Sequence, residues 1–597
     1  MILRSNIAKN KTAVIICIIA AIQIFAVVGC STMPVRPLAI KNDGYEYTRR
    51  YASWLIKKEM KKYDVPGLSI ALVDENHLIF AEGFGYADIK EKVKATPETV
   101  YRVGSISKLF TAVAVMQLAE AGKIDIDKPL KDYLPEFSIK TRFSNAGHIT
   151  PRNIMTHHSG LPANLYKGLW TNDPRAFTRI AGMLKDEHTS FPPDLIFSYS
   201  NIGVTLLGQM VEKVSNREFT SYMDESVLQP FGMVHSSFAE EKRNEKLLAK
   251  GYNKGIEYDE PPLRDIPASS LYSNVIDLAG FMQVILSEGM VEDTRVLNSE
   301  TITDMLTPQN NDVPLDFDFK VGLGWFLDDI GTRIAYHGGQ TLTFTSYLAI
   351  LPEHKLGVAV LANSSTGFPA VQEIAEDILN VAIETQTGIK KKTEPERDYP
   401  SVVILPIKKL RGFEGTYSTE TGLATVYLKK SKLFASFNNK SFQLLPVGDG
   451  RFTIKPILFG LFPVSQIKDV EVSIQEISGR RVIILNIKGK RYLFGEKINM
   501  RPIPNSWLAR LGTYKVTNQD ELFPIGDVTL LQKDGLLFLD YEVGSRGKTS
   551  LPLLTLSDSE AIVAGIGSNK GETIRIIMAD GEEVLTYSGY EARRIGD

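Results

Sequence analysis

The sequence predicts an α+β domain followed by an all-β, barrel-like region, and three observations carry that prediction. Strand-like apolar runs stand near both ends of residues 46–387, with a long helix-rich stretch between them. A charged, proline-bearing stretch then interrupts the pattern. Beyond it the texture changes to short strands and turns, in which a Gly-Thr-Tyr motif occurs twice. The chain has 597 residues, 43% of them hydrophobic and 23% charged, which is long enough for several domains and too apolar for disorder. Its 68 basic and 70 acidic residues leave a net charge of −2, which argues against a nucleic-acid partner.

Residues 1–30 read as an export segment. Arg4, Lys9 and Lys11 make a basic start, Thr12 to Val28 is apolar apart from Gln23, and Val27-Val28-Gly29-Cys30 closes it with small residues. The ending resembles a bacterial lipoprotein signal. That resemblance implies lipidation at Cys30 and an exported chain held to a membrane of the cell envelope, on its periplasmic or extracellular face. A transmembrane anchor is the alternative, although the apolar run is short for a span. The two cysteines, Cys17 and Cys30, both lie here. The body therefore has no disulfide, cysteine nucleophile or Cys-ligated zinc, and it suits an oxidising compartment.

A polar tether, 31–45, leads to a helix with Tyr47, Tyr51, Trp54 and Leu55 at i, i+4, i+7 and i+8. Leu68–Val73 and Leu78–Ala81 read as strands around the turn Asp74–His77. Helical patterns dominate to about Ser287. Strands return at Gly324–Phe326, Ile334–Tyr336, Tyr347–Leu351 and Leu356–Val360, and a last helix covers Val371–Ala382. An antiparallel sheet flanked by helices, with a helical insertion between its strands, accounts for 46–387 as one domain. Residues 388–405 read as a linker. Leu410-Arg411-Gly412-Phe413-Glu414-Gly415-Thr416-Tyr417 is echoed by Leu508-Ala509-Arg510-Leu511-Gly512-Thr513-Tyr514, an offset of about 97 residues. Each copy is followed by a leucine-rich strand, Leu444–Val447 and Leu551–Leu554. Two tandem barrel-like units, 406–500 and 501–597, fit this repeat, with one larger barrel as the alternative.

Chemistry concentrates in Tyr101-Arg102-Val103-Gly104-Ser105-Ile106-Ser107-Lys108, which precedes a helix closed by Gly122. Ser105 at a helix start and Lys108 one turn on share a face. A serine hydroxyl needs a neighbour to take its proton, and a lysine whose pKa burial lowers can do so. The helix start adds N–H groups for an oxyanion. Phe197-Ser198-Tyr199-Ser200-Asn201 stands just before an amphipathic helix, so Tyr199 and Asn201 can face one site. A phenol near a lysine is expected to have a depressed pKa and to serve as a general base. His337-Gly338-Gly339-Gln340 ends a strand, where the glycines let a substrate approach the backbone and the Gln340 N–H can supply an oxyanion donor.

In this order and spacing, the three motifs resemble the serine β-lactamase and penicillin-binding-protein family, most closely its class C-like branch. The resemblance covers roughly 46–385 and includes Ile149–Pro162, Gln229–Met233 and Gly322–Trp325. It implies a β-lactamase/transpeptidase-like catalytic domain with Ser105 as the acylated nucleophile. Lys108 and Tyr199 would share the acid/base work, and Asn201 would orient the substrate. His337 would flank the cleft beside Gly338 and Gly339, and the Ser105 and Gln340 amides would form the oxyanion hole. A separate glutamate base, as in class A enzymes, is not indicated, because Tyr-Ser-Asn fills the second motif. One departure stands out: β-lactamases and transpeptidases usually carry Lys-Thr-Gly where this chain has His-Gly-Gly. Members with His there resemble D-aminopeptidases, related peptidases and esterases, and those peptidases carry C-terminal β-barrels.

The expected activity is a membrane-tethered serine hydrolase that forms an acyl-enzyme on a small amide or ester: a D-amino-acid peptide, β-lactam or ester, including peptidoglycan-derived ones. The alternative is a non-catalytic cell-envelope binding or sensor lipoprotein that uses the same cleft. Nothing calls for a metal or organic cofactor. His148, His157 and His158 lack a zinc-ligand spacing, and Glu82–Tyr86 lacks a nucleotide-binding frame. Tyr166 and Trp170 fit either a cleft rim or core packing.

Overall fold

A computed structural model describes residues 32–595 apart from 38–39, 41–43, 174, 240–244, 391–400, 457–469, 521, 523 and 543–546. The export segment with Cys30 lies outside the described residues, as does most of the linker. Among the described residues, no helix is long and apolar enough to cross a membrane.

The N-terminal domain is built on one eight-stranded antiparallel sheet. Helix α1 (Glu46–Tyr63) is followed by β1 (Gly67–Asp74) and β2 (His77–Asp88). Helices α2 (Ser107–Glu120), α3 (Asn201–Ser215) and α4 (Val275–Leu286) come from the middle of the domain. The chain then returns through β3 (Phe326–Asp329), β4 (Arg333–Gln340), β5 (Thr345–Leu351) and β6 (Leu356–Ala362) to α5 (Phe368–Thr387). The spatial order β3-β4-β5-β6-β1-β2, with a two-residue strand at each edge, inserts the late strands beside β1. The chain thus closes its sheet only after the helical middle is made.

Central strands β1, β5 and β6 are buried on both faces, which is why they read as unbroken apolar runs. Alternate residues divide between two cores. Leu68, Ile70 and Leu72 pack with Val358, Val360 and the α1/α5 pair, including Leu55, Ile374 and Ile378. Ala71, Leu348, Ile350, Ala359 and Leu361 face the opposite core, with α2 and α4. Helix α2 is buried almost all round, because it runs through the middle of that second core. Its polar residues, Lys108 among them, are therefore carried into a dry interior. Gly83 and Gly85 lie inside β2 rather than after a strand. A Cβ on Gly83 would fall 2.1 Å from the Ala95 carbonyl oxygen, so close chain crossing explains that glycine.

The C-terminal region forms two closed eight-stranded barrels, each a meander of consecutive strands, spanning Gly415–Lys497 and Gly512–Arg594. The recurring motif has a physical basis. Tyr417 donates to the Phe413 carbonyl at 2.9 Å, and Tyr514 donates to the Arg510 carbonyl at 2.6 Å, the same four-residue reach in both copies. Gly415 and Gly512 before them take φ of +151° and +145°. A short helix precedes each barrel and buries Leu410 in one core and Trp507 in the other.

Both barrels touch the N-terminal domain. Arg491 of the first pairs with Asp318 at 3.1 Å, and Arg575 of the second pairs with Glu187 at 3.1 Å. The Ser418 hydroxyl donates to the Ala564 carbonyl at 2.8 Å and joins barrel to barrel.

Candidate active site

Ser105 sits in a single 3₁₀ turn, Gly104–Ile106, that runs directly into α2. The turn is held on three sides. Ser107 Oγ donates to the Gly104 carbonyl at 2.6 Å and accepts from the Leu271 amide at 3.0 Å. Ser346 Oγ on β5 donates to the Val103 carbonyl at 2.7 Å. Gly104 takes φ +54°, and a Cβ there would stand 2.8 Å from the Gln340 nitrogen. The last residue of β4 therefore lies against the residue that introduces Ser105. As the second residue of the turn, Ser105 has its amide among the N–H groups that a helix start leaves without an intrahelical acceptor.

Lys108 is buried one turn on, with Nζ 3.1 Å from Ser105 Oγ and donating to the Ala268 carbonyl at 2.8 Å. It makes no ion pair among the described residues. Burial pulls its pKa down from the usual lysine range to about 7, and the charge of Asp265 pushes the other way. The amine is thus neutral in a substantial fraction of molecules near neutral pH and can accept a proton.

Tyr199 is half-buried beside Ser105, and its pKa moves opposite to the sequence expectation. Loss of water around the phenolate raises it, and the Ser105 hydrogen bond offsets only part of that rise. Lys108 Nζ lies over the phenol face, 4.8 Å from the ring centroid, and carries less than a full charge, so it does little to stabilise a phenolate. The protonated phenol is therefore the favoured form of Tyr199 in the resting site. Tyr199→Phe should lower kcat by about 10²- to 10⁴-fold with the melting temperature nearly unchanged, measured by steady-state kinetics and thermal melting.

Two neutral imidazoles complete the wall. The His157 ring packs at a tilt against Tyr199, 4.1 Å between centroids, and its Nδ1 accepts from the Ser200 amide at 3.1 Å, which places its proton on Nε2. Burial and the nearby Lys108 hold His157 well below the usual histidine range. His337 Nδ1 faces the Gly338 carbonyl at 2.6 Å, so Nδ1 carries the proton there. Burial and Lys108 lower its pKa to about 3. A lysine at position 337 would offer a cation to the cleft; this histidine offers none. Sequence reasoning sets His157 and His158 aside as zinc ligands and assigns them no role of their own. They face different partners, since His158 Nε2 meets Asp316 Oδ2 at 2.7 Å.

Asn201 opens α3, with Ser200 as its N-cap. Asn201 Nδ2 donates to Asn164 Oδ1 at 2.8 Å, which leaves its own Oδ1 buried without a partner among the described residues. Gly338 and Gly339 need a different explanation from the one the sequence suggested. A Cβ on Gly339 would fall 2.0 Å from the Val103 carbonyl oxygen, and one on Gly338 would fall 2.6 Å from the Phe368 ring. These glycines admit the chain's own Ser105 turn and α5, not a substrate.

Sequence reasoning missed the part played by the second barrel. Its Ala564–Glu572 loop reaches the site, where Ser568 Oγ accepts from the Tyr199 amide at 3.0 Å. The Gly567 carbonyl accepts from Ser198 Oγ at 3.5 Å. Behind them Glu572 is buried, with Oε1 accepting from the Ala163 amide at 3.1 Å and Oε2 accepting from Tyr587 at 2.7 Å. Burial raises the Glu572 pKa from the usual carboxylate range to about 7, against the two hydrogen bonds that lower it. A carboxyl raised in the folded state favours folding below its unfolded pKa, and that benefit is lost as pH rises through about 7. Docking of the second barrel should therefore weaken between about pH 4.5 and 7 and then level off. Glu572→Gln should flatten that part of the melting-temperature profile, measured by calorimetry across pH.

Comparison with known proteins agrees with this architecture. Protein flp of Staphylococcus aureus (strain N315) is 26% identical over 339 residues, 55% of this chain, and the chain spans 66% of that relative's length. Beta-lactamase-like protein 2 of Dictyostelium discoideum is 23% identical over 74% of this chain and 82% of its own. The octameric penicillin-binding protein homologue from Pyrococcus abyssi superposes with a TM-score of 0.50 at 25% identity, covering 74% of this chain and 99% of its own. SurE, solved with D-Leu, gives 0.53 at 21% identity over 76% and 99%. The Beta-lactamase family model matches residues 54–383, more than half of the chain and the whole of the sheet core, so the protein belongs to the Beta-lactamase family.

Proposed function

We propose that this protein is a serine acyl-transfer hydrolase that cleaves a small amide or ester through an acyl-enzyme at Ser105. The observation that carries the reading is the buried Lys108 amine, 3.1 Å from Ser105 Oγ and free of any ion pair among the described residues. A binding protein needs no such amine, and family membership supports the same class of chemistry. Lys108 Nζ takes the Ser105 proton as Oγ bonds to the substrate carbonyl carbon. The oxyanion falls to the Ser105 and Gln340 amides. Tyr199, still protonated, gives its proton to the departing nitrogen or oxygen as the carbonyl–leaving-group bond breaks, and Lys108 returns a proton to Tyr199. Water then repeats the sequence on the acyl-enzyme. The Asn201 Oδ1 can accept a substrate amide N–H.

The neutral His337 argues for substrates with no carboxylate at that end of the cleft, so D-aminoacyl amides and short esters come before β-lactams. D-Leu amide is a fitting first probe, given the D-Leu complex of SurE. The site is held at a cell-envelope membrane through lipid on Cys30. Hydrolysis of D-Leu p-nitroanilide, p-nitrophenyl acetate and a penicillin by wild type and Ser105→Ala tests the reading. Ser105-dependent turnover of the first two supports it. Turnover that survives the substitution would remove Ser105 as the nucleophile, and none with any substrate would return the chain to the non-catalytic binding class.

A further inference from the structure

The second barrel holds a cavity of about 140 Å³ that the catalytic reading does not use. Eight strands enclose an interior with room for side chains alone or for one small ligand. Here Trp507 fills one end, buried, with its indole N–H donating to the Ser557 carbonyl at 2.7 Å. On the catalytic-domain side it is walled by Tyr166, Leu169 and Trp170, so the two aromatics pack here in an interior between domain and barrel. Barrel residues such as Val516, Val528, Leu539 and Leu585 make the side walls. An engineered cavity of about 150 Å³ lined by such residues stays dry and takes up benzene. This one differs in carrying hydroxyl groups, from Thr549 and several tyrosines. The Tyr541 hydroxyl, on its wall, hydrogen-bonds to no other described residue, whereas Tyr587 and Tyr590 are already bonded to Glu572 and Asp520. Among the described residues no cation lines the space.

The wall contributed by the catalytic domain is fastened firmly. The Tyr166 amide donates to Ser588 Oγ at 2.8 Å, the Gly168 amide donates to Asp520 at 3.0 Å, and Lys167 pairs with the same carboxylate. The carbonyls of Leu165 and Lys167 accept from Arg264 at 2.8 and 3.0 Å, and Arg264 holds Asp265, the carboxylate whose charge reaches Lys108.

We propose that this cavity is a second ligand site, separate from the catalytic cleft, for a neutral benzene-sized molecule that carries one oxygen acceptor for Tyr541. Its occupant bridges barrel and catalytic domain and so steadies their docking. Titration calorimetry and thermal melting of the full chain with p-cresol and with toluene test this. Saturable one-to-one binding is expected, with p-cresol about tenfold tighter than toluene, the value of one hydrogen bond. Tyr541→Phe should bring the ratio to about one, and Ala592→Phe, which fills the space, should abolish binding of both. If Ala592→Phe fails to fold, Tyr541→Phe still decides. Binding should persist in Ser105→Ala and after Ser105 is acylated. No saturable binding at millimolar ligand, an unchanged ratio in Tyr541→Phe, or loss of binding on acylation would each overturn the proposal. None of these readouts depends on turnover.

Discussion

Ser105→Ala should lower kcat/KM by about 10⁴-fold or more and leave the fold intact. The size follows from the role: without Oγ no acyl-enzyme forms, and the oxyanion donors alone recover little of the rate. The intact fold follows from the packing. The turn is clamped by Ser107, Ser346 and Gly104, and none of those contacts involves the Ser105 hydroxyl. Ser105 is half-buried, so deleting one hydroxyl should change stability by less than about 0.5 kcal/mol. Kinetics and melting on the same preparation separate a lost nucleophile from a lost fold.

Lys108→Met should cost about 10³-fold or more in kcat, and the pH profile should show why. In the wild type, kcat/KM should rise tenfold per pH unit below about 7 and then level off, because the lysine pulled down to about 7 must lose its proton to act. Lys108→Met should remove that acid limb from whatever activity is left. Lys108→Arg, which stays charged, should be equally slow. The melting temperature of Lys108→Met should hold or rise, since a buried amine gives way to a buried thioether. A profile flat through pH 5 to 8 in the wild type would mean that Lys108 is not the base.

Much of this site was legible because its parts are local. Ser105 and Lys108 are one turn apart, so a helix start is enough to bring them together. Central strands such as Leu356–Ala362 were legible because burial on both faces writes an unbroken apolar run. What could not be read depends on distant chain. Gly338 and Gly339 looked like room for a substrate, but the occupants are Val103 and Phe368. The Tyr199 phenol looked acidic beside a lysine, but burial outweighs a cation that burial itself has weakened. Ser568 reaches the Tyr199 amide from 369 positions away, on a barrel whose placement no local pattern encodes. Tyr166 and Trp170 were ambiguous for the same reason, since the cavity they close belongs mostly to residues after 510.

The most direct test of the central claim is time-resolved intact mass of the full chain mixed with p-nitrophenyl acetate, with Ser105→Ala and Lys108→Met alongside. The account predicts one acetyl group on the wild type within the first turnover, none on Ser105→Ala, and slow, pH-independent labelling of Lys108→Met. An acetyl group that forms equally fast on Ser105→Ala, or turnover by the wild type with no acyl species on Ser105, would contradict it.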